Sequence, residues 1–263
     1  MRQEQLRDFK AWSQGYVKGF YSDDPEIQAA VKLKEEHTAR VQENIVRIAR
    51  SLGVEGDDLL LAESIALFHD IGRFRQFAVY RTFNDRHSVN HALLGLRELE
   101  TAGVLSGLPG EERSLVLTAI EYHNICELPP AVPDRLLLFA GLIRDADKLD
   151  ILRLFAEDCA RGEEQPDPLL GPDLPDTPGY SPALVERLLQ HQLCSYADLQ
   201  NFNDRKLLYL SWLYDINFAY TLSEIAGNGY IEVIVTDLPA TGEIRAVHEH
   251  LQDYVNRRLA PPV

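Results

Sequence analysis

The sequence predicts an all-α protein, a multi-helix bundle around one core. Apolar residues recur every three or four positions along most of the chain, which is the period of one helix face. Helix-starting residues stand ahead of several of these stretches, as in Ser22-Asp23-Asp24-Pro25 and Pro133-Asp134, and glycines such as Gly53 follow them. One short stretch, near residues 230–236, has the make-up of a β element.

Taken in order, residues 4–20 form a helix carrying Leu6, Phe9, Trp12, Tyr16, Val17 and Phe20, read as a cover over the core. The next helix starts at Ser22-Asp23-Asp24-Pro25 and runs to about Leu52. Its apolar face holds Ile27, Ala30, Val31, Val41, Ile45 and Ile48, and His37 falls on that same face, as a satisfied core residue or as a ligand. Asp57-Asp58 caps a third helix through Leu60, Leu61, Ile65, Leu67 and Phe68, with Gly72 as its stop. That puts Asp70 near a helix C-terminus, where the dipole disfavours a carboxylate and a nearby cation is needed.

Residues 73–86 are expected to be a polar, aromatic loop with four arginines, which either gathers an anion or answers the surplus of carboxylates. Ser88 caps a helix to Gly103 whose face is His91, Leu94, Gly95 and Leu99; Gly95 lets another helix or a ligand come close. Residues 111–123 form a helix ending in His123, again at the inner edge of an apolar face. From Pro133-Asp134 a long helix follows, in which Phe139, Ile143, Asp147 and Ile151 make one stripe. A carboxylate in that stripe needs a cation, either an ion or a buried arginine. Asp145 and Asp150 lie off the line.

Six prolines mark residues 161–182 as an extended loop. Beyond it come helices from Pro182 to about Leu193, from Asp204 to Ala226 (heavily aromatic, as core), and from Thr241 to Leu259; Tyr230 to Val235 is a short strand or an apolar connector. His248 and His250 fall on different faces of the last helix and read as surface residues. The whole chain, 1–263, is read as a single domain with its motif core at about 27–155 and C-terminal helices 183–259 packing on it.

At 263 residues and 45% hydrophobic, the chain can bury a sizeable core. Its net charge of −15 argues against binding a nucleic-acid polymer or an anionic membrane, which calls for a basic face. A small anionic substrate stays open, because a metal reverses the local field. No signal peptide or membrane-spanning run is found, and the three cysteines are too few and too widely spaced for a disulfide framework; the expectation is a cytoplasmic protein. Oligomeric state is not legible.

His69-Asp70, at the end of an apolar run and before Gly72, is the stretch around which the other inward His and Asp residues gather. Taken together, His37, then His69-Asp70, then Asp147 resembles the H…HD…D signature of the HD-domain metal-dependent phosphohydrolase superfamily. Phe68-His69-Asp70-Ile71-Gly72-Arg73-Phe74 and Arg144-Asp145-Ala146-Asp147-Lys148-Leu149-Asp150 carry much of the likeness, with Thr82-Phe83-Asn84-Asp85, Asn90-His91-Ala92 and His123-Asn124. The resemblance implies an HD-domain bundle in which His37, His69, Asp70 and Asp147 bind a divalent metal. It also implies that His91 and His123 either complete a second metal site bridged by Asp70 or hold phosphate.

One or two ions of Mn, Fe, Co, Ni, Zn or Mg suit such nitrogen and oxygen donors. The implied reaction is hydrolysis of a phosphate ester, nucleotide or other small phosphorylated metabolite, by a metal-activated water. His69, Asp70 and Arg73 would carry the chemistry, and Arg73, Arg75 and Lys148 would meet the substrate; Lys148 alternatively neutralises Asp145 or Asp150. Two other classes remain: a di-iron oxygenase on the same six ligands, and a metal-stabilised binding or sensing module without turnover.

Overall fold

The computed structural model describes residues 1–162 and 174–260, and these are helical with no strand among them. They divide into two compact units, Met1–Asp150 and Ile151–Val263. No helix among the described residues is long and apolar enough to cross a membrane.

In the first unit, α1 spans Gln3–Lys18, α2 Pro25–Ser51, α3 Gly56–Phe68, α4 Ile71–Tyr80, α5 His91–Thr101 and α6 Gly110–Tyr122, and α7, Asp134–Arg161, begins there. Helix α2 starts where its sequence says: the Asp24 carboxylate accepts from the backbone N–H of Glu26 and Ile27, and Pro25 fills the first turn. It ends at Ser51, with Gly53 taking a φ of 75° that suits glycine. The core of the unit is α3. Ser64 to Phe68 are all buried, as expected of a helix apolar on every side, and it packs against α1, α2 and α6.

Three boundaries differ from the sequence reading. Helix α3 is capped at Glu55, so Asp57 and Asp58 lie in its first turn, where the dipole still favours them. Helix α5 is capped by Asn90, whose side chain accepts from the Leu93 N–H, and Ser88 lies in the preceding loop. The third difference matters most. Gly72 does not stop a helix; it sits inside α4, and residues 73–80, expected as loop, are helical. Gly72 is glycine for proximity: a Cβ there would lie 2.2 Å from the His91 carbonyl oxygen and 2.6 Å from the Gly95 nitrogen. Gly95 faces it in the same way, its own Cβ position 3.1 Å from Gly72 N. Helices α4 and α5 therefore touch backbone to backbone, and Asp70, just before α4, is held beside His91, the first residue of α5.

In the second unit, after the end of α7, come α8, Pro182–Leu189, α9, Phe202–Ser211, α10, Ala219–Gly227, α11, Tyr230–Thr236, and α12, Gly242–Leu259. Of the proline-rich stretch 161–182, residues 163–173 lie outside the described residues. The expected long aromatic helix is broken by a 3-10 turn, Trp212–Asp215, into α9 and α10. Tyr230 to Thr236 is a helix and not a strand: Gly229, at φ 69°, turns the chain into it, and Ile231 and Ile234, three apart, are its buried face. His248 and His250 are half-buried on α12, short of the surface position expected for them.

Candidate metal centre

Six side chains from five helices of the first unit meet in its interior. His37 lies on the inward stripe of α2, and Asp147 comes from α7. His69 and His123 are the residues that close α3 and α6. His91 opens α5, and Asp70 stands between α3 and α4 as the residue preceding α4. The dipole argument made from the sequence is thereby reversed, because Asp70 is at a helix start, where its charge is favoured. His37, His69, Asp70, His91 and His123 are all buried, none more than 6% exposed.

The donor atoms fall into two groups that share Asp70. In the first, ligand atoms of His37, His69 and Asp70 lie within 4.8 Å of one another, and in the second, those of Asp70, His91 and His123 do the same. The carboxylate divides its oxygens between them. Oδ2 lies 3.6 Å from His37 Nε2 and 3.7 Å from His69 Nε2, whereas Oδ1 lies 3.4 Å from His91 Nε2 and 3.9 Å from His123 Nε2. Asp147 joins the first group, its Oδ1 3.0 Å from His37 Nε2 and 3.7 Å from His69 Nε2.

Every imidazole turns Nε2 inward because its Nδ1 is engaged by an acceptor. His37 Nδ1 donates to Asp150 Oδ2 and His91 Nδ1 to Asp85 Oδ2, both at 2.7 Å. His69 Nδ1 donates to the Ala66 carbonyl at 2.8 Å and His123 Nδ1 to the Ile120 carbonyl at 2.6 Å. Carbonyls and ionised carboxylates only accept, so in each neutral ring the proton sits on Nδ1 and the inward nitrogen keeps its lone pair. Burial and the charge of Arg73 keep His91 neutral by lowering its pKa, against the pull of Asp85. Burial, helped by His91 and His69, takes His123 down to about 3. Two neutral nitrogens thus face each other at 3.0 Å. Two lone pairs at that distance repel, and a cation between them turns the repulsion into two dative contacts. The donor set therefore fits a divalent ion, and its buried charge calls for one.

The carboxylates are kept ionised. Burial pushes Asp70 up, but Lys34, His69, Arg73 and His91 outweigh it and hold it well below the usual carboxylate range. Asp147 is also held well below that range, burial being overcome by the adjoining His37 and His69 rings. At His37, burial and Lys34 oppose the charged form, yet Asp147 and Asp150 prevail and raise its pKa.

Asp85 ties the second group together. It accepts from His91, from Arg73 Nη1 at 3.0 Å and from Gln76 Nε2 at 2.8 Å, and these bonds bring it to about 2 in spite of burial. In Asp85→Ala the ring of His91 loses its orienting acceptor. Manganese affinity at the second group is expected to fall about 10- to 100-fold, read by competition with a chelating dye, while the first group is unaffected. Equal affinities would leave Asp85 with no part in the centre.

Of the residues expected to meet a substrate, Arg73 adjoins the cluster, with Nε 3.4 Å from Asp70 Oδ1. Arg75 is 2.7 Å from Glu98 and lies over the Phe20 ring, and Lys148 is buried in α7. Arg81 pairs with Asp24 at 2.9 Å, so with Arg73 and Arg75 three of the four arginines between 73 and 86 answer carboxylates. Three residues at the centre were given no part in it from the sequence. Lys34 Nζ is 2.8 Å from Asp70 Oδ2, Asp150 orients His37 and pairs with Arg40 at 2.7 Å, and Asp85 orients His91. Lys34 precedes His37 by three residues on one helix face, which is a usable signal once His37 is suspected. Nothing local marks Asp150, 113 residues from its partner.

Residues 35–152 match the family model described as HD domain, and the six clustered side chains all fall within that span. No curated protein and no solved structure matches the chain.

Proposed function

From a chain whose residues 35–152 form an HD domain, we propose a metal-dependent phosphohydrolase that cleaves the phosphate ester of a small phosphorylated metabolite with two divalent ions. One observation carries the reading: the two oxygens of Asp70 are divided between two histidine pairs. His37, His69, Asp70 and Asp147 would hold one ion, and Asp70, His91 and His123 the other. When bound, divalent ions lower the pKa of a water and polarise a phosphoryl oxygen.

The chain's own groups do the rest. Asp70 fixes the spacing of the two donor sets. The Nδ1 hydrogen bonds hold the four rings in place before any substrate arrives, so little reorganisation is left to the reaction. Arg73, braced by Asp85, Gln76 and the Phe83 carbonyl, offers a guanidinium beside Asp70 to balance charge on the phosphoryl oxygens. The acidic surface, at net charge −15, favours a small metabolite over a nucleic-acid polymer.

The test is elemental analysis of protein prepared with manganese, paired with a panel of phosphate esters in manganese, cobalt, nickel and magnesium. The wild type should carry about two ions and His91→Ala about one, since that variant keeps the first donor set intact. One ion in both would return His91 and His123 to phosphate binding. Iron-dependent oxygen uptake with no phosphate release would make the protein an oxygenase, and full metal loading with no turnover would make it a binding module.

A further inference from the structure

Lys34 stands at the edge of the donor cluster, on α2, with its side chain 14% exposed. Its Nζ is 2.8 Å from Asp70 Oδ2, the same oxygen that faces His37 and His69. The ammonium also lies 5.2 Å from the centre of the Phe83 ring, and the Arg73 guanidinium lies 5.8 Å from that ring. Each oxygen of Asp70 thus has a histidine pair on one side and a cation on the other: Lys34 at Oδ2, Arg73 at Oδ1.

We propose that the Lys34 ammonium binds the phosphate oxygens of the substrate, and that it makes the centre select a terminal phosphate dianion over a phosphodiester. The proposal rests on the hydrolase reading above. An ion in the first donor set and the Lys34 ammonium compete for one carboxylate oxygen, and like charges at such range repel strongly in a water-poor interior. The lysine stem has four rotatable bonds and opens toward solvent, so the ammonium swings off Asp70 while Phe83 and the neighbouring α2 backbone keep it close. Bound ions would overturn the charge of Asp70 and Asp147, and the displaced ammonium adds to the excess. A group with two negative charges relieves that excess better than a diester with one. Arg73, fixed by three acceptors, is less free to follow a substrate than Lys34, which donates to the oxygen an ion would take.

The experiment is calorimetric titration of manganese, and then of inorganic phosphate into the manganese-loaded protein, for wild type, Lys34→Met and Lys34→Arg. Manganese is expected to bind Lys34→Met at least as tightly as wild type, because a competitor for Asp70 is gone. Phosphate is expected to bind that variant about tenfold more weakly or worse, and Lys34→Arg is expected to keep most of the affinity. A kcat/KM preference for a phosphomonoester over the matching diester should shrink in Lys34→Met alone. Equal phosphate affinity in wild type and Lys34→Met overturns the proposal, as does loss of manganese from Lys34→Met, which would make Lys34 structural. If the wild type cleaves no ester yet binds phosphate through Lys34, the hydrolase reading falls, and with it the choice between esters, while the phosphate contact of Lys34 stands.

Discussion

In Asp70→Ala, bound metal and turnover are expected to disappear together. The residue is the one donor common to both groups, and its two oxygens face different histidine pairs. No neighbour can stand in for it: Asp147 reaches only the first pair, and Asp85 and Asp150 are spent on the outer nitrogens of His91 and His37. Losing preorganised charge at a reacting centre costs about a thousandfold in kcat, and losing the ions themselves should cost more. The fold should survive. The cations it leaves behind are not stranded: Arg73 keeps Asp85 as a partner, and Lys34, 14% exposed, can reach solvent. Elemental analysis, ester hydrolysis and circular dichroism together check this. An active, metal-loaded Asp70→Ala protein would sink the two-ion scheme.

Gly72→Ala tests the same centre through the backbone. Its Cβ would sit 2.2 Å from one main-chain atom and 2.6 Å from another, and neither can turn away as a side chain would. Helices α4 and α5 have to part. Overpacking of this kind costs about 3 kcal/mol or more, which for a unit of this size is a fall of about 10 °C in melting temperature. Parting them also pulls Asp70 from His91, so the second ion should be lost ahead of the fold. Gly15→Ala is the control: it lies in α1 with nothing within 4 Å of its Cβ position, and there alanine should stabilise the helix by about 0.5–1 kcal/mol. An unchanged melting temperature in Gly72→Ala would mean that the close crossing of α4 and α5 bears little on stability.

These two positions also mark what the sequence could disclose. Asp147 and His37 were visible because each interrupts an apolar stripe, and a polar residue at a core position is a local irregularity. The all-helical architecture was legible for the same reason, since period and caps are short-range properties. Gly72 was legible only as an oddity. Its reason lies 23 residues on, in Gly95, and a glycine that admits a neighbour looks in sequence like one that ends a helix. Taking it as a stop turned α4 into a loop and put Asp70 at the wrong end of a dipole. The seven residues of α11 were too few to show a period, so their β-branched composition spoke louder than their packing. Lys34 and Asp150 were assigned no part because their partners, Asp70 and His37, come from distant segments; Asp85 lies six residues before His91, but in a stretch expected as loop, where solvated charge is the ordinary reading.

The four histidine anchors are of two kinds. His69 and His123 close helices, and each gives its outer proton to a carbonyl three residues back in its own chain. His37 and His91 give theirs to the side chains of Asp150 and Asp85. Each donor group holds one of each kind. The first kind is written into the main chain, and no substitution at another position removes it. The second kind is adjustable: a carboxylate makes an imidazole a stronger donor than an amide does, and exchanging that carboxylate for a neutral acceptor weakens one ring without moving the other. Each half of the centre thus has a fixed pin and a tuning screw. With two ions bound as proposed, the grip on each would be graded at Asp150 or Asp85, one ion at a time, with every ligand left in place.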